Sequence, residues 1–159
     1  MFVKVGVLAL QGSFEEHFNS LERVRMEQRF KHLDIIVVEI RTSEDIKENL
    51  RGLIIPGGES TTMLRFLDAA FLAKIKSWLE VFRRPVWGSC AGMILLADEV
   101  KGIGTVVIKS LKSYFAAKIG ALDGVVVRNY FGRQRQSFTQ KVALTTTALI
   151  RGGNPHYPG

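Results

Sequence analysis

The chain has 159 residues, 47% of them apolar, and a single cysteine, so it suits one domain with a sizeable core, excludes an internal disulfide, and makes a reducing compartment and a cytoplasmic location the default expectation. No apolar run approaches the ~20 residues that a membrane span needs, and Met1-Phe2-Val3-Lys4 leads straight into a strand-like run, so no signal peptide is visible. The formal net charge of +7 is uneven: residues 1–100 hold 13 Lys and Arg against 14 Asp and Glu, and residues 101–159 hold 9 basic residues against one acid, Asp123. A basic tail can bind nucleic acid electrostatically, but no helix-turn-helix or aromatic-interleaved basic motif accompanies this one, and neither nucleic acid nor membrane is expected as a partner.

Strands and helices alternate along the first hundred residues. Val3–Leu10 is rich in β-formers and ends at Gln11-Gly12. From Glu15 to about Phe30 the pattern is helical, with Phe14, Phe18, Leu21 and Val24 at three- and four-residue spacings and acids in the first turn. Asp34–Ile40 is a second strand, and Ser43–Asn49 reads as a short helix with Ser43 as N-cap. Leu53–Ile55 is a third strand, broken by Pro56-Gly57-Gly58; Thr61–Asp68 and Leu72–Phe82 read as helices, with Ser60 and Thr61 suited to cap the first. Pro85–Trp87 is the fourth strand, and Met93–Ala97 reads as a buried helix. Beyond Val100, Gly102–Ile108, Leu122–Val127 and Val142–Leu144 read as strands without helices between them. Repeated βα units imply an α/β fold of three layers, a mostly parallel central sheet of flavodoxin-like style. Active groups in such sheets lie beyond the carboxyl ends of the strands. Three segments meet that rule: Gln11-Gly12, Gly57-Gly58-Glu59 and Cys90.

Gly88-Ser89-Cys90-Ala91-Gly92 joins the fourth strand to its helix. A strand turning sharply into a helix at G-x-C-x-G is the cysteine relative of the nucleophile elbow. So tight a turn strains the central residue and leaves no room for neighbouring Cβ atoms. The thiol then points out at the top of the sheet, and the helix N-terminus favours its thiolate. A buried structural cysteine is the alternative for the pentapeptide taken alone. Pro56-Gly57-Gly58-Glu59-Ser60-Thr61-Thr62 is the second constellation. By itself it is an ordinary strand-to-helix turn, but sulfur attack on a carbonyl creates an oxyanion that needs preorganised donors. A Gly-Gly loop at a neighbouring strand end is where those donors belong.

Four segments in this order carry a resemblance: Val5-Gly6-Val7-Leu8-Ala9-Leu10-Gln11-Gly12, Pro56-Gly57-Gly58-Glu59-Ser60-Thr61-Thr62-Met63, Trp87-Gly88-Ser89-Cys90-Ala91-Gly92 and Val127-Arg128-Asn129-Tyr130-Phe131-Gly132-Arg133-Gln134. Together they resemble the glutaminase subunits of pyridoxal 5′-phosphate synthase complexes, which are class I, triad-type glutamine amidotransferases. The elbow alone indicates only the wider superfamily; P-G-G-E-S-T-T with L-Q-G and R-N-x-F-G-R-Q narrows it. The likeness covers residues 3 to about 138 of a single glutaminase domain, 1–159, and residues 139–159 diverge. The resemblance implies that Cys90 attacks the side-chain amide of L-glutamine, giving a glutamyl thioester and ammonia. Water then releases glutamate, and the ammonia passes to a synthase (lyase) subunit. It further implies that Gly57, Gly58 and Glu59 shape the oxyanion hole and hold glutamine, and that Arg128 contacts glutamine, a role that suits a planar guanidinium facing a carboxylate. Ile150-Arg151 matches a family pair that also binds glutamine, although Gly152-Gly153-Asn154 does not continue the pattern. No cofactor and no metal are implied.

The family's base and its orienting carboxylate come from a His-Pro-Glu segment near the C-terminus, and this sequence contains no His-x-Glu. Of the three histidines, His17 is expected at the surface or an interface, His32 in solvent, and His156 in a terminal turn without a nearby carboxylate. The final strands and closing helix of the family are expected to be missing, through truncation, splicing, a frameshift or a faulty gene model. Three readings compete: a glutaminase of this family, a catalytically inactive relative that only docks on the synthase, and an unrelated α/β cysteine hydrolase using the same elbow.

Overall fold

A computed structural model describes residues 1–101 and 119–130, the side chains of residues 29, 60 and 61 aside. The chain divides into two compact units, Met1–Arg128 and Asn129–Gly159, and Asn129 and Tyr130 are the described residues of the second. The first unit is built on β1 (Phe2–Leu8), β2 (Asp34–Ile40), β3 (Leu50–Ile55) and β4 (Val86–Gly88), which form a sheet in the order β2-β1-β3-β4. Every pairing in it is parallel. This is the opening strand order of a flavodoxin-like sheet, whose order reverses between β1 and β3. Helices flank it: α1 (Phe14–Met26), α2 (Ser60–Phe66), α3 (Ala69–Phe82) and α4 (Ala91–Leu96). A second pair, β5 (Ala97–Lys101) and β6 (Leu122–Val127), is also parallel. The strand expected over 122–127 is thus present, whereas those expected over 102–108 and 142–144 lie outside the described residues.

The core follows from the apolar positions. In α3, Phe71, Leu72, Ile75 and Trp78 recur at helical spacing and are buried with Leu50, Leu53 and Ile55 of β3 and with Leu95 and Leu96 of α4. The Trp78 indole N–H donates to the Lys47 carbonyl at 3.1 Å, so this buried ring leaves no polar atom unmatched. Asp68 caps α3 by accepting from the Phe71 N–H at 2.8 Å. The helix ends where Arg83 turns left-handed at φ 46°.

Three local expectations are corrected. The first helix does not run on to Phe30: it stops at Met26, Glu27 is extended, and a single 3₁₀ turn follows over Gln28–Phe30. The register Phe2↔Asp34 explains the break, because the chain must return to the start of β1 within a few residues. Ser43–Asn49 is not a helix but one 3₁₀ turn, Ser43–Asp45, and its cap is Thr42 rather than Ser43. Thr42 and Asp45 form a reciprocal capping box, and a short box stabilises one turn without committing the next residues to a helix. Finally, Ala97–Lys101 is a strand that the sequence pattern misses, since Asp98, Glu99 and Lys101 are poor β-formers.

Asp45 accepts from the Arg41 N–H at 2.9 Å, the Thr42 N–H at 2.8 Å and the Thr42 hydroxyl at 3.1 Å. The Arg41 backbone bond first, then the Thr42 N–H, hold this carboxyl below its ordinary range. A carboxylate depressed in the folded state stabilises above the unfolded pKa of about 3.9 and loses that contribution as pH falls through the folded value. Asp45→Ala therefore lowers stability by ~1 kcal/mol at pH 7. In urea melts the gap from the parent chain should shrink progressively below about pH 4.

Candidate active site

The carboxyl ends of β1, β3 and β4 converge on one another. After β4 the chain enters Ser89, then Cys90 at φ 47° and ψ −108°, and α4 begins at Ala91. That conformation is costly for any residue with a Cβ, by roughly 1–3 kcal/mol, and persists only where the surroundings over-determine it. The turn is held on both sides. The Ser89 N–H donates to the Ile55 carbonyl at 3.1 Å, the Gly92 N–H to the Ser89 carbonyl at 2.8 Å, and the Ile94 N–H to the Cys90 carbonyl at 3.1 Å. Gly92 lies so close to β3 that a Cβ there would be driven into the Ile55 carbonyl oxygen. Cys90 itself is exposed, as the elbow reading requires, and the buried structural cysteine is set aside.

The Gly57 loop closes over the elbow. A Cβ on Gly57 would sit 3.2 Å from the Cys90 Cβ and 3.6 Å from the Ser89 hydroxyl, so this glycine lets the loop and the nucleophilic turn meet backbone to side chain. From the other side comes the β1 loop. The Ser13 N–H donates to the Gly57 carbonyl at 3.2 Å, and the Gln11 side-chain amide donates to the Glu59 carbonyl at 3.2 Å. Gly12, at φ 79°, lies against the Gly57 carbonyl where no Cβ fits. Arg41, just past β2, steadies this loop: its guanidinium donates to the Ala9 carbonyl at 2.8 Å, pairs with Glu39, and stands 5.5 Å from the Phe14 ring centroid.

The structure thus brings Cys90, Gly57, Gly58 and Glu59 to one place. Glu59 is exposed, and its carbonyl also accepts from the Met63 N–H at 2.9 Å, which starts α2; the capping side chains expected of Ser60 and Thr61 lie outside the described set. Arg128 is half-buried directly after β6, its N–H donating to the Lys101 carbonyl at 2.9 Å. Ile150, Arg151 and His156 fall outside the described residues. His32 is exposed as expected, its carbonyl accepting from the N-terminal ammonium. His17, expected at the surface or an interface, is half-buried, and its Nε2 shares a 3.2 Å hydrogen bond with the Ser89 hydroxyl, next to Cys90. The available signal was topological. A residue in the first turns of the helix after β1 starts at the same end of the sheet as the elbow. Among the described residues no His, Cys, Asp and Glu cluster could hold a metal ion, and no helix is long and apolar enough to cross a membrane.

The sequence profile of the SNO glutamine amidotransferase family matches residues 7–152. The chain belongs to this family. It is 44% identical over 136 residues to the pyridoxal 5′-phosphate synthase subunit PdxT of Dehalococcoides mccartyi strain BAV1, covering 86% of this chain and 60% of that one. It is 41% identical over 143 residues to the PdxT of Bacillus mycoides, covering 89% of this chain and 62% of the relative. A crystal structure of a glutamine amidotransferase superposes with a TM-score of 0.63 at 36% identity, over 84% of this chain and 61% of that one. The chain thus spans roughly three-fifths of the length of these relatives. Family membership sets aside the unrelated cysteine hydrolase.

Two outcomes test the elbow. Gly92→Ala forces α4 off β3 and should lower stability by ~3 kcal/mol or abolish folding, read by urea denaturation. Cys90→Gly should do the reverse. Relief of the strained turn outweighs the added freedom of the unfolded chain, so stability should rise by ~1 kcal/mol.

Proposed function

We propose that this chain is the glutaminase component of pyridoxal 5′-phosphate synthesis, binding L-glutamine and passing ammonia to a synthase subunit. The observation that carries the reading is the exposed Cys90 on its strained elbow, its Cβ 3.2 Å from where a Gly57 Cβ would stand. The Cys90 thiolate attacks the side-chain amide carbonyl of glutamine, forming a C–S bond and a tetrahedral oxyanion. Backbone donors of the Gly57-Gly58-Glu59 loop stabilise that charge. The intermediate collapses with cleavage of the C–N bond, the departing nitrogen takes a proton and leaves as ammonia, and a glutamyl thioester remains. Water hydrolyses the thioester to glutamate and regenerates the thiol. Arg128 is assigned to the glutamine α-carboxylate, a role that its resemblance to the family arginine and its planar guanidinium support. The names of the curated relatives and the shared family support the substrate and the partner. No organic cofactor is required for this chemistry.

A second reading concerns turnover by these 159 residues on their own. The sequence has no His-x-Glu, and a cysteine nucleophile needs a base and a proton donor for the leaving nitrogen. Acid–base help is typically worth ~10²–10⁴-fold. A version of these 159 residues extended with a family His-Pro-Glu segment is therefore expected to release glutamate faster than the 159 residues alone by about that factor.

The test uses a glutamine-analogue electrophile followed by peptide mass spectrometry. Label should appear on Cys90 and be suppressed by excess L-glutamine. Label elsewhere, with Cys90 untouched in a folded sample, would overturn the assignment. Glutamate release from the chain and from the extended version, each with the synthase subunit, measures the turnover; equal rates would mean that the chain supplies its own base.

A further inference from the structure

We propose that His17 is a positioning residue for the nucleophile, holding the elbow through the Ser89 hydroxyl. The inference rests on Cys90 being the nucleophile but not on glutamine being the substrate. His17 and Ser89 are 72 residues apart in sequence, and the imidazole Nε2 lies 3.2 Å from the hydroxyl oxygen in a partly buried setting. The hydroxyl donates to an unprotonated Nε2 or accepts from a protonated one; either tautomer makes the bond.

Three features make this contact more than an incidental one. First, Ser89 is the residue before a strained Cys90, and all of its polar groups are engaged by different parts of the fold. Its N–H is taken by β3 at Ile55, its carbonyl by the first turn of α4 at Gly92, and its hydroxyl by α1 at His17. A residue held at three points fixes the direction in which the next one starts. Second, the Ser89 hydroxyl and the Cys90 Cβ face the same glycine, at 3.6 and 3.2 Å from the position of a Gly57 Cβ. A shift of Ser89 therefore changes the contact between the nucleophile and the loop assigned to the oxyanion. Third, the same end of α1 is tied to that loop through the Ser13 N–H and the Gly57 carbonyl at 3.2 Å. The His17 bond closes a ring of contacts: β1 loop, α1, elbow, Gly57 loop, β1 loop. Without it the elbow is fastened only through its backbone, and the relaxed backbone conformations that strain disfavours become accessible.

The test reads thiol reactivity, which needs neither substrate nor partner. Cys90 is alkylated by iodoacetamide in the parent chain and in His17→Ala, Ser89→Ala, the double variant and His17→Gln. A side-chain hydrogen bond of ordinary strength corresponds to a slowing of roughly two- to tenfold in each alanine variant. The double variant should be no slower than the slower single one, because both remove the same bond. In His17→Gln the new side chain carries its terminal amide the same number of bonds from Cβ as the imidazole Nε2. It should restore the rate to within about twofold of the parent, the mark of one specific hydrogen bond. Parent-like or faster alkylation in His17→Ala, additive losses in the double variant, or no rescue by His17→Gln would each overturn the proposal. Should His17→Ala fail to fold, Ser89→Ala, which removes one hydroxyl, and His17→Gln carry the same comparison. Repeating the parent measurement with L-glutamine separates the two ideas: absence of protection defeats the glutaminase reading and leaves the His17 ranking intact.

Discussion

The contact on which the rest depends is the one between Ile55 and the start of α4. One carbonyl oxygen at the end of β3 accepts from the Ser89 N–H and at the same time lies against the bare Cα of Gly92. That fixes the helix so close to the strand that the intervening residues have no relaxed path, and Cys90 takes a positive φ. The strain at Cys90 is thus a consequence of packing two elements at a distance only glycine permits. It costs stability locally, and the buried apolar contacts of Leu95, Leu96 and Ala91 with the core offset it.

The second constraint is topological. β3 sits between β1 and β4, and the strand order reverses between β1 and β3, so the loops leaving those two strands diverge around a crevice at their carboxyl ends. Here the crevice is bridged by hydrogen bonds from Gln11 and Ser13 to the backbone of Glu59 and Gly57. Arg41 anchors the base of the β1 loop to the end of β2 and to Phe14. The site is therefore made from residues near positions 11, 57 and 90, each on a loop whose origin is fixed by a parallel strand.

What the sequence made legible follows from how local each cause is. The bounds of β2, the long apolar face of α3, and the elbow are set within a few residues by periodicity and glycine placement. Likewise Gly57 needs only its own chain to allow a close approach, and what approaches it is implied by strand order. Long-range causes were hidden. The early end of α1 is dictated by the Phe2↔Asp34 register, and no residue at Met26 or Glu27 announces it. β5 forms from polar residues because β6 lies beside it. The half-burial of His17 depends on Ser89, far along the chain and on the other side of β3. Even there, the rule that helices following parallel strands begin at the active end of the sheet would have raised His17 above His32.

The elbow and an acid–base apparatus answer to different physical demands. Among the described residues, the geometry at Cys90 is produced within the first hundred positions, by β3, β4, α4, the Gly57 loop and α1. None of those contacts requires a proton acceptor beside the sulfur. Acid–base groups lower the barrier to thiol attack and amide departure but contribute little to ground-state binding. This is why reactivity toward an external electrophile, rather than turnover, reports on the part of the machinery built by these residues.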